Sequence, residues 1–344
     1  MFMKTDIWNV QETDFPATGT PEEKLKFILN YAILAPSSHN TQPWYFKIDS
    51  GAIYLLADHT RGLPVADPDG RELIISCGAA LFNLRIALHH FGYTGKIKTF
   101  PDPANPDLLA CIELGHSSGE TTDGKLLFQA IKKRHTNRHD YQDWNVPETL
   151  LKTLQKDAIS EGANLQIVKG DILRASVTEL IAQGDHLQMA DPNFRNELAT
   201  WVRPSTSKSH DGLPIYTHGI DEHFEFATPL FAFVLRTLDM GYSVAERSRK
   251  LLECSPAIVI LTTESDKPAD WLAAGQALER VLLRAQVVKL FASFLNQPIQ
   301  VPELRSQLSK LLGNKAYPQI MLRLGFGLET KPTPRRTVDE VVSN

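Results

Sequence analysis

The sequence predicts an α+β protein made of two similar halves joined in one chain. A hairpin pattern supports the strand content, because residues 44–48 and 52–57 flank the turn residues Asp49-Ser50-Gly51. The helical content rests on two long apolar segments, residues 71–91 and 271–295, each suited to a core helix. The evidence for two halves is a short repeat within these segments.

The repeat places small residues at the same point of both long helices. Cys77-Gly78-Ala79-Ala80-Leu81 lies on the first helix as Ala274-Gly275-Gln276-Ala277-Leu278 lies on the second. A strand follows each helix, ending at Leu114-Gly115 in one case and Leu324-Gly325 in the other. Because helix, strand and Leu-Gly recur in the same order, we predict a duplication equivalent to a fused homodimer. The boundary is placed near residue 122, which gives halves of 1–122 and 123–344.

Composition limits the classes of function. The 344 residues are 42% hydrophobic and 22% charged, as expected for a globular chain with one large core or two ordinary ones. A net charge of −4 gives no positive excess for nucleic acid. Three distant cysteines predict buried thiols rather than a disulfide or zinc site. Without a signal-peptide core or an apolar run near the roughly 18 residues that span a bilayer, we expect a cytoplasmic protein with no membrane partner.

The other elements follow from caps, breakers and periodicity. Thr20-Pro21-Glu22-Glu23 opens an amphipathic helix, which Pro36 stops, and the residues before about 15 are predicted to form an arm. Further strands are predicted at 96–100, 109–114, 165–168, 257–261 and 319–324, and further helices at 147–160, 172–183 and 303–312. Residues 185–250 break the pattern and contain the turn Asp211-Gly212-Leu213-Pro214. They predict an irregular insertion used as a lid, with Phe224, Phe226 and Phe231 covering apolar surface; a helical insertion outside the core is the alternative.

Two polar runs carry the candidate chemistry. The run Ala35-Pro36-Ser37-Ser38-His39-Asn40-Thr41-Gln42-Pro43-Trp44 offers two hydroxyls, an imidazole and two amides to a polar ligand. A Ser/Asn-rich helix end leading into a strand is the structural alternative. The second run, Arg134-His135-Thr136-Asn137-Arg138, is basic, and by itself it fits a solvated helix end equally well.

These runs resemble the motifs of a known family. The first is similar to the A-P-S-x-x-N-x-Q-P-W motif of the FMN-dependent nitroreductases, and the second to their R-R-S-x-R motif. Pro332-Thr333-Pro334-Arg335-Arg336 resembles their basic C-terminal segment. The resemblance implies a nitroreductase-like α+β fold with mixed or antiparallel sheets packed against helices. Both contributions lie in one chain with a long insertion, which is most similar to the twin-domain, Acg-like subgroup and implies a pseudo-dimer within the chain.

The resemblance also implies where the FMN phosphate binds. Arg134, together with Arg335, Arg336 or both, would contact it, because guanidinium groups match phosphate oxygens with fixed pairs of donors. Thr136 keeps the hydroxyl of the family's serine and would bond ribityl or phosphate oxygens. His135 stands where the motif has an arginine, and it is kept as a candidate cofactor-binding residue.

Other implied contacts concern the flavin ring and the loop. Arg138 would approach the pyrimidine edge and favour negative charge on the reduced ring. The remaining cofactor-binding residues implied by the first motif are Pro36, Ser37, Ser38 and Asn40, with Gln42 orienting the loop.

Three functions remain open from the sequence. The first is an FMN-dependent NAD(P)H oxidoreductase that reduces small nitroaromatic or quinone-like substrates through hydride transfer at flavin N5, with no catalytic side chain and no metal. The second is an FMN storage protein with a shielded flavin, and the third is a scaffold that has lost flavin. A dinucleotide-binding site is disfavoured because Gly325-Phe326-Gly327 lacks a third glycine, and the chain has no G-x-S-x-G elbow. The acceptor and the choice between NADH and NADPH are not fixed.

Overall fold

Two β-sheets covered by helices form the body of the protein. The computed structural model describes residues 7–116, 119, 121–204, 207–218, 228–313 and 316–343. The helices are α1 Pro21–Ala32, α2 Arg71–His90, α3 Thr122–Ile131, α4 Glu148–Ser160, α5 Asp171–Ala190, α6 Pro192–Trp201, α7 Thr228–Thr237, α8 Gly241–Glu253, α9 Pro268–Val287, α10 Gln297–Gln300, α11 Pro302–Leu311 and α12 Val338–Val341. The strands are β1 Trp44–Asp49, β2 Ala52–Ala57, β3 Tyr93–Thr99, β4 Leu108–His116, β5 Asn164–Ile167, β6 Val202–Arg203, β7 Leu213–Pro214, β8 Ala257–Thr263, β9 Phe291–Phe294, β10 Tyr317–Gly325 and β11 Val342–Ser343.

The first sheet is mixed and the second is antiparallel. The first has the order β11-β1-β2-β4-β3, in which β1 and β11 run parallel with Phe46 opposite Val342 and the other pairs are antiparallel. The second has the order β5-β8-β10-β9, with antiparallel neighbours throughout. The predicted α+β class with mixed and antiparallel sheets is confirmed. Because β11 belongs to the first sheet, the chain returns to its first half after completing the second.

The four-stranded part of the first sheet has the same topology as the second sheet. β1-β2-β4-β3 and β5-β8-β10-β9 have the same order when each half is numbered from its own first strand. A helix precedes the first strand of each, α1 or α4, and a long helix joins the second strand to the third, α2 or α9. The insertion of α5 to α8 lies between the first and second strands of the second half.

The two long helices pack against each other through the glycines of the repeat. A Cβ atom at Gly78 would lie 2.9 Å from the Cα of Gly275 and would collide with the carbonyl oxygen of Leu272. A Cβ at Gly275 would lie 2.8 Å from the Cα of Gly78 and would collide with the carbonyl oxygen of Ile75. Both neighbours are backbone atoms, so no side-chain rotation can make room, and only glycine allows this approach.

Helix α2 is buried between the halves. By length and composition it is a candidate membrane span, with a mean hydropathy of 1.3, but 78% of that stretch is buried inside the protein. Its apolar residues pack in the core with those of α1, β1 and α3. Burial therefore accounts for the composition of this helix.

The predicted helix at 271–295 is too long. Helix α9 ends at Val287, Lys289 adopts a left-handed conformation with φ of 56°, and strand β9 follows. The error has a physical reason. Mostly apolar residues continue from α9 into β9, and a short strand that is buried on both faces shows no periodicity that distinguishes it from a helix.

The irregular structure predicted for 185–250 is also wrong. Helix α5 continues to Ala190, Asp191 caps α6 by accepting a hydrogen bond from the Asn193 amide at 2.8 Å, and α7 and α8 follow. These helices share an apolar cluster with Leu63 and Ala66 of the first half. Phe224 and Phe226 of the predicted lid lie outside the described residues.

The glycine contact generates a stability prediction. Gly275→Ala forces α2 and α9 apart, and overpacking of this kind costs about 3 kcal/mol, more than the roughly 1 kcal/mol that alanine contributes as a better helix former. Urea unfolding measures the loss. Gly51→Ala is the control, since that glycine has a φ of 77° but no atom within 4 Å of the added Cβ, so that only about 1 kcal/mol of backbone strain is expected. Equal losses for the two variants would contradict this packing.

Candidate functional site

The loop between α1 and β1 has an unusual backbone. His39, Asn40 and Gln42 have positive φ angles of 49°, 56° and 52°, a region that residues other than glycine occupy at a cost of about 1 kcal/mol or more each. The backbone N–H of Gln42 donates to the Ser37 hydroxyl at 2.9 Å, which closes the loop. Strain of this kind is held by surrounding contacts, which here come from Arg61 and Glu72 of the first half and from two distant segments.

Asn40 joins the loop to both distant segments. Its Oδ1 accepts a hydrogen bond from Arg335 Nη1 at 2.8 Å. Its Nδ2 donates to the carbonyl oxygens of Gly212 and Pro334, each at 3.0 Å. The amide is therefore occupied by protein partners and connects the loop, the insertion and the C-terminal segment.

Gln42 and Arg336 form a second connection. Gln42 Nε2 donates to the His210 carbonyl at 2.8 Å, and its Oε1 accepts from the backbone amide of Arg336 at 2.7 Å. The Arg336 guanidinium donates from Nη1 to the backbone carbonyl of Gln42 at 3.1 Å and lies 4.0 Å from the Asp58 carboxylate. These contacts fit the orienting role predicted for Gln42, and they separate Arg336 from Arg134.

Arg134 and Arg335 meet below the loop. Both donate to the carbonyl oxygen of Leu34, at 3.1 and 3.3 Å, and their side chains are only 4% and 5% exposed. Burial, and then the neighbouring charge of Arg134, lowers the pKa of Arg335 to about 9. Within the described chain neither Nε has a hydrogen-bond partner. The alternative of a solvated basic face is wrong for Arg134.

One carboxylate accompanies this arginine pair. Glu279 of α9 is fully buried, and its Oε1 lies 3.5 Å from Arg134 Nε. Burial raises the pKa of Glu279 to about 7, against the opposing effect of the Arg134 charge. Two guanidinium groups and at most one negative charge leave the cluster positive.

The N-terminal arm covers the cluster. Trp8 donates from Nε1 to the Thr333 carbonyl at 3.0 Å, its ring lies 5.0 Å from the Arg335 guanidinium, and it meets the His135 ring edge-on at 4.5 Å. Burial, followed by the charges of Arg134 and Arg335, lowers the pKa of His135 to about 3, so this imidazole is neutral near pH 7.

A cavity of about 540 Å³ lies between the two halves and the insertion. It brings together five of the residues predicted from the motifs: Pro36, Ser37, Ser38, Thr136 and Arg138. The other six predicted residues do not line it: Asn40, Gln42, Arg134, His135, Arg335 and Arg336. The insertion supplies most of its apolar wall, through Met189, Phe194, Leu198, Leu213, Phe231, Leu235, Met240 and Val244.

Arg138 lines one end of this cavity with its guanidinium group. Across the described residues its guanidinium makes no hydrogen bond and no ion pair, and the charged groups that act on it include Arg323 and Arg247. Burial, and then the charge of Arg323, lowers the pKa of Arg138 to about 10. Arg323 is itself buried over the ring of Tyr141 at 4.2 Å. This end of the cavity is suited to an anionic or electron-rich group.

Glu72 is a cavity residue that the sequence analysis did not identify. It accepts a hydrogen bond from the Ser38 hydroxyl, bonds from Gln300 Nε2 at 3.1 Å and one from Asn296 Nδ2 at 3.2 Å. Burial raises its pKa. Because the Ser38 hydrogen points to Glu72, Ser38 offers only acceptor lone pairs to the cavity. No short-range pattern relates Glu72 to Ser38, since 34 positions separate them.

Comparison with known proteins gives the family. No family model matches the chain. A Mycobacterium tuberculosis H37Rv protein named "Putative NAD(P)H nitroreductase Rv3131" is 31% identical over 337 residues, which cover 96% of this chain and 93% of that protein. The chain belongs to the NAD(P)H nitroreductase family.

Two further relatives match over nearly the whole chain. "Putative NAD(P)H nitroreductase acg" of the same organism is 27% identical over 338 residues, covering 95% of this nitroreductase-family chain and 97% of that protein. "Probable NAD(P)H nitroreductase PigM" of Serratia sp. is 26% identical over 342 residues, with 94% of each covered. The resemblance to nitroreductases of the Acg type is confirmed.

Solved nitroreductase structures align with part of the chain. The FMN and NADPH-dependent nitroreductase NfnB from a Sphigopyxis strain has a TM-score of 0.42 at 17% identity, covering 63% of this chain and 97% of that structure. Mycobacterium smegmatis NfnB in complex with NADPH has a TM-score of 0.38 at 12% identity, covering 63% of this chain and 92% of that structure.

The connections of Asn40 generate the second prediction. Asn40→Ala removes three hydrogen bonds, to the Gly212 carbonyl, the Pro334 carbonyl and Arg335 Nη1, so at about 1 kcal/mol each we expect a loss of about 2–3 kcal/mol in the free energy of unfolding. Asn30→Ala is the control, because Asn30 makes one local bond to the Phe27 carbonyl, worth about 1 kcal/mol or less. Urea titration of both proteins checks the difference, and an Asn40 variant as stable as the Asn30 variant would show that the three-way connection is not needed.

Proposed function

We propose that the protein binds FMN and transfers electrons from NAD(P)H to a small nitroaromatic or quinone-like acceptor. The observation that carries this proposal is the cavity where Ser37 and Ser38 of the first motif meet Thr136 and Arg138 of the second. Relatives that align with almost the whole chain carry the name NAD(P)H nitroreductase, which supports the electron donor.

The cavity fits the ring portion of a flavin. Its volume of about 540 Å³ is within the roughly 300–1,000 Å³ of small-molecule sites, and its walls are largely apolar. Arg138, whose guanidinium has no hydrogen-bond or ion-pair partner among the described residues, would face the electron-rich edge of the ring system, where a cation favours the reduced, negatively charged form. Bound FMN would supply hydride chemistry at N5, while the side chains hold it in place and exclude water.

The arginine pair fits the phosphate. Arg134 and Arg335 form a positive cluster whose two Nε atoms lack hydrogen-bond partners in the described part of the chain, and a phosphate needs paired cationic donors. Arg336, held by Gln42, is not included. Because both arginines are almost fully buried, this part of the proposal requires the cluster under Trp8 to open when the cofactor binds.

We further propose that the chain is a fused pseudo-dimer with halves 1–122 and 123–344 and one FMN site. The shared strand order and the mutual contact of Gly78 and Gly275 support the duplication. The halves differ where a second site would lie. Residues 33–43 connect α1 to β1, but only residues 161–163 connect α4 to β5. Beside this short connection, Arg280 of α9 forms ion pairs with Asp157 at 2.9 Å and with Glu161 at 3.0 Å, so its positive charge is already compensated.

The alternative function is FMN storage. The insertion supplies the apolar wall of the cavity, and a nicotinamide ring must reach the same flavin face to deliver hydride. An insertion that stays closed for most of the time would reduce turnover in proportion to its closed fraction. The insertion would then act as a lid that decides between catalysis and storage.

Arg134→Ala tests the FMN proposal. We expect purified protein to bind one FMN per chain, and the variant to bind FMN about ten- to a hundred-fold more weakly while riboflavin affinity changes little, because charge-assisted hydrogen bonds contribute about 1.5–3 kcal/mol. Fluorescence titration with both flavins measures this, with Lys133→Ala as the neighbouring exposed control. Equal losses for FMN and riboflavin would refute the phosphate role, two flavins per chain would refute the single site, and a protein that binds no flavin would refute the function.

Leu235→Ala tests the lid. Leu235 is 4% exposed and lines the cavity, whereas Leu230 on the same helix is 62% exposed. If α7 shields the flavin, the smaller side chain in Leu235→Ala lets NAD(P)H and iodide reach the flavin. We then expect NAD(P)H oxidation and iodide quenching of flavin fluorescence both to rise several-fold. Leu230→Ala should change neither quantity. Unchanged oxidation and quenching in Leu235→Ala, with FMN retained, would show that the helix does not gate the cavity.

A further inference from the structure

Glu279 is a fully buried carboxylate beside the arginine pair. It is fully buried on α9, and in the described part of the structure neither of its oxygens has a hydrogen-bond partner. Its nearest cation is Arg134, with a distance of 3.5 Å between Oε1 and Nε. A carboxylate in such a place costs free energy unless a nearby cation compensates it.

The groups that face Glu279 come from three other segments. Arg134 lies after α3, Arg335 lies in the C-terminal segment, and Asn83 belongs to α2. His135 and Tyr216 act on the arginines. His135 is held neutral, so the charge of the cluster is set by two guanidinium groups and the protonation state of Glu279.

We propose that Glu279 is the internal counter-ion of the phosphate-binding arginines, and that it takes up a proton when FMN binds. This inference rests on the proposed function, in which Arg134 and Arg335 receive the phosphate. When a phosphate dianion joins the cluster, an ionised Glu279 would give two positive charges against three negative ones, in a region with little water. One proton from solvent, forming an O–H bond on Glu279, restores the balance. No other bond changes.

The direction of the pH effect follows from proton uptake. Without phosphate, burial sets the pKa of Glu279 at about 7, and an added dianion moves it upward. Between the two pKa values FMN binding consumes a proton, so FMN affinity falls by up to tenfold for each pH unit above about 7. The phosphate titrates near pH 6, so its own protonation is complete only at lower pH and does not contribute at about pH 8. Riboflavin lacks the phosphate and should show no such decline.

Isothermal titration calorimetry of the full-length protein measures the proton directly. At about pH 8, wild-type protein is titrated with FMN and with riboflavin in two buffers of different ionisation enthalpy. We expect an uptake between about half a proton and one proton for FMN, and close to none for riboflavin. In Glu279→Gln the uptake disappears, FMN still binds, and its affinity no longer falls between about pH 7 and 9. His135→Asn, the control for the other titratable group beside the arginines, keeps the uptake.

The outcomes separate this inference from the FMN proposal. If FMN and riboflavin bind equally well, the phosphate site itself is refuted. If FMN binds more tightly but without proton uptake, or if uptake persists in Glu279→Gln or disappears in His135→Asn, only the role of Glu279 is overturned. The comparison of the two flavins on wild-type protein requires no variant, so it stands even if a substituted chain does not fold.

Discussion

The contact between Gly78 and Gly275 determines how the two halves sit together. Helices that meet backbone to backbone leave no space for adjustment, so the position of one half fixes that of the other. The cavity depends on this, because Ile75 and Ser76 of α2 and Leu278 of α9 are neighbours of the two glycines and form part of its lining. A shift of one helix against the other would change the shape of the site as well as the stability of the core.

The second constraint is electrostatic. The segments at 134–138 and 332–336 bring Arg134 and Arg335 to buried positions beside the loop at 36–42, where few anions oppose them. Asn40 accepts a hydrogen bond from Arg335 and Gln42 accepts one from the Arg336 backbone, so neutral amide groups serve these segments, and the buried carboxylate of Glu279 lies 3.5 Å from Arg134. A positive interior of this kind is costly for an isolated protein and becomes favourable when an anion joins it. An anionic ligand bound at this cluster is therefore expected to raise the stability of the folded chain.

Much of the fold could be predicted because local signals were strong. Thr20 and Glu23 form the capping box that their spacing predicts, and the hairpin around Gly51 forms where the turn residues lie. The boundary between α9 and β9 could not be predicted, since Leu290 and Phe291 continue the apolar run of the helix. The helices of the insertion were missed because turn signals such as Asp191-Pro192 mark helix starts as well as loops.

The candidate site was only partly predictable for a different reason. The motifs identified Ser38 and Arg138, but Glu72, Arg323 and the counter-ion Glu279 reach the site through tertiary packing alone. Nothing near these residues in sequence distinguishes them from ordinary charges on helices or strands. The distinction between Arg335 and Arg336 likewise depends on which of two adjacent side chains turns towards Leu34.

The hydrogen bond between Arg335 and Asn40 joins residues 295 positions apart. Closing so large a loop carries a large entropic cost, and contacts of this range form late in folding. A first half that has folded by itself contains the strained loop and Arg61, but it lacks Arg335 and Arg336, which contact Asn40 and Gln42. Under the proposed function, the phosphate site therefore forms only after the C-terminal segment has packed against the first half, so retention of the ligand would report complete folding rather than folding of the first half alone.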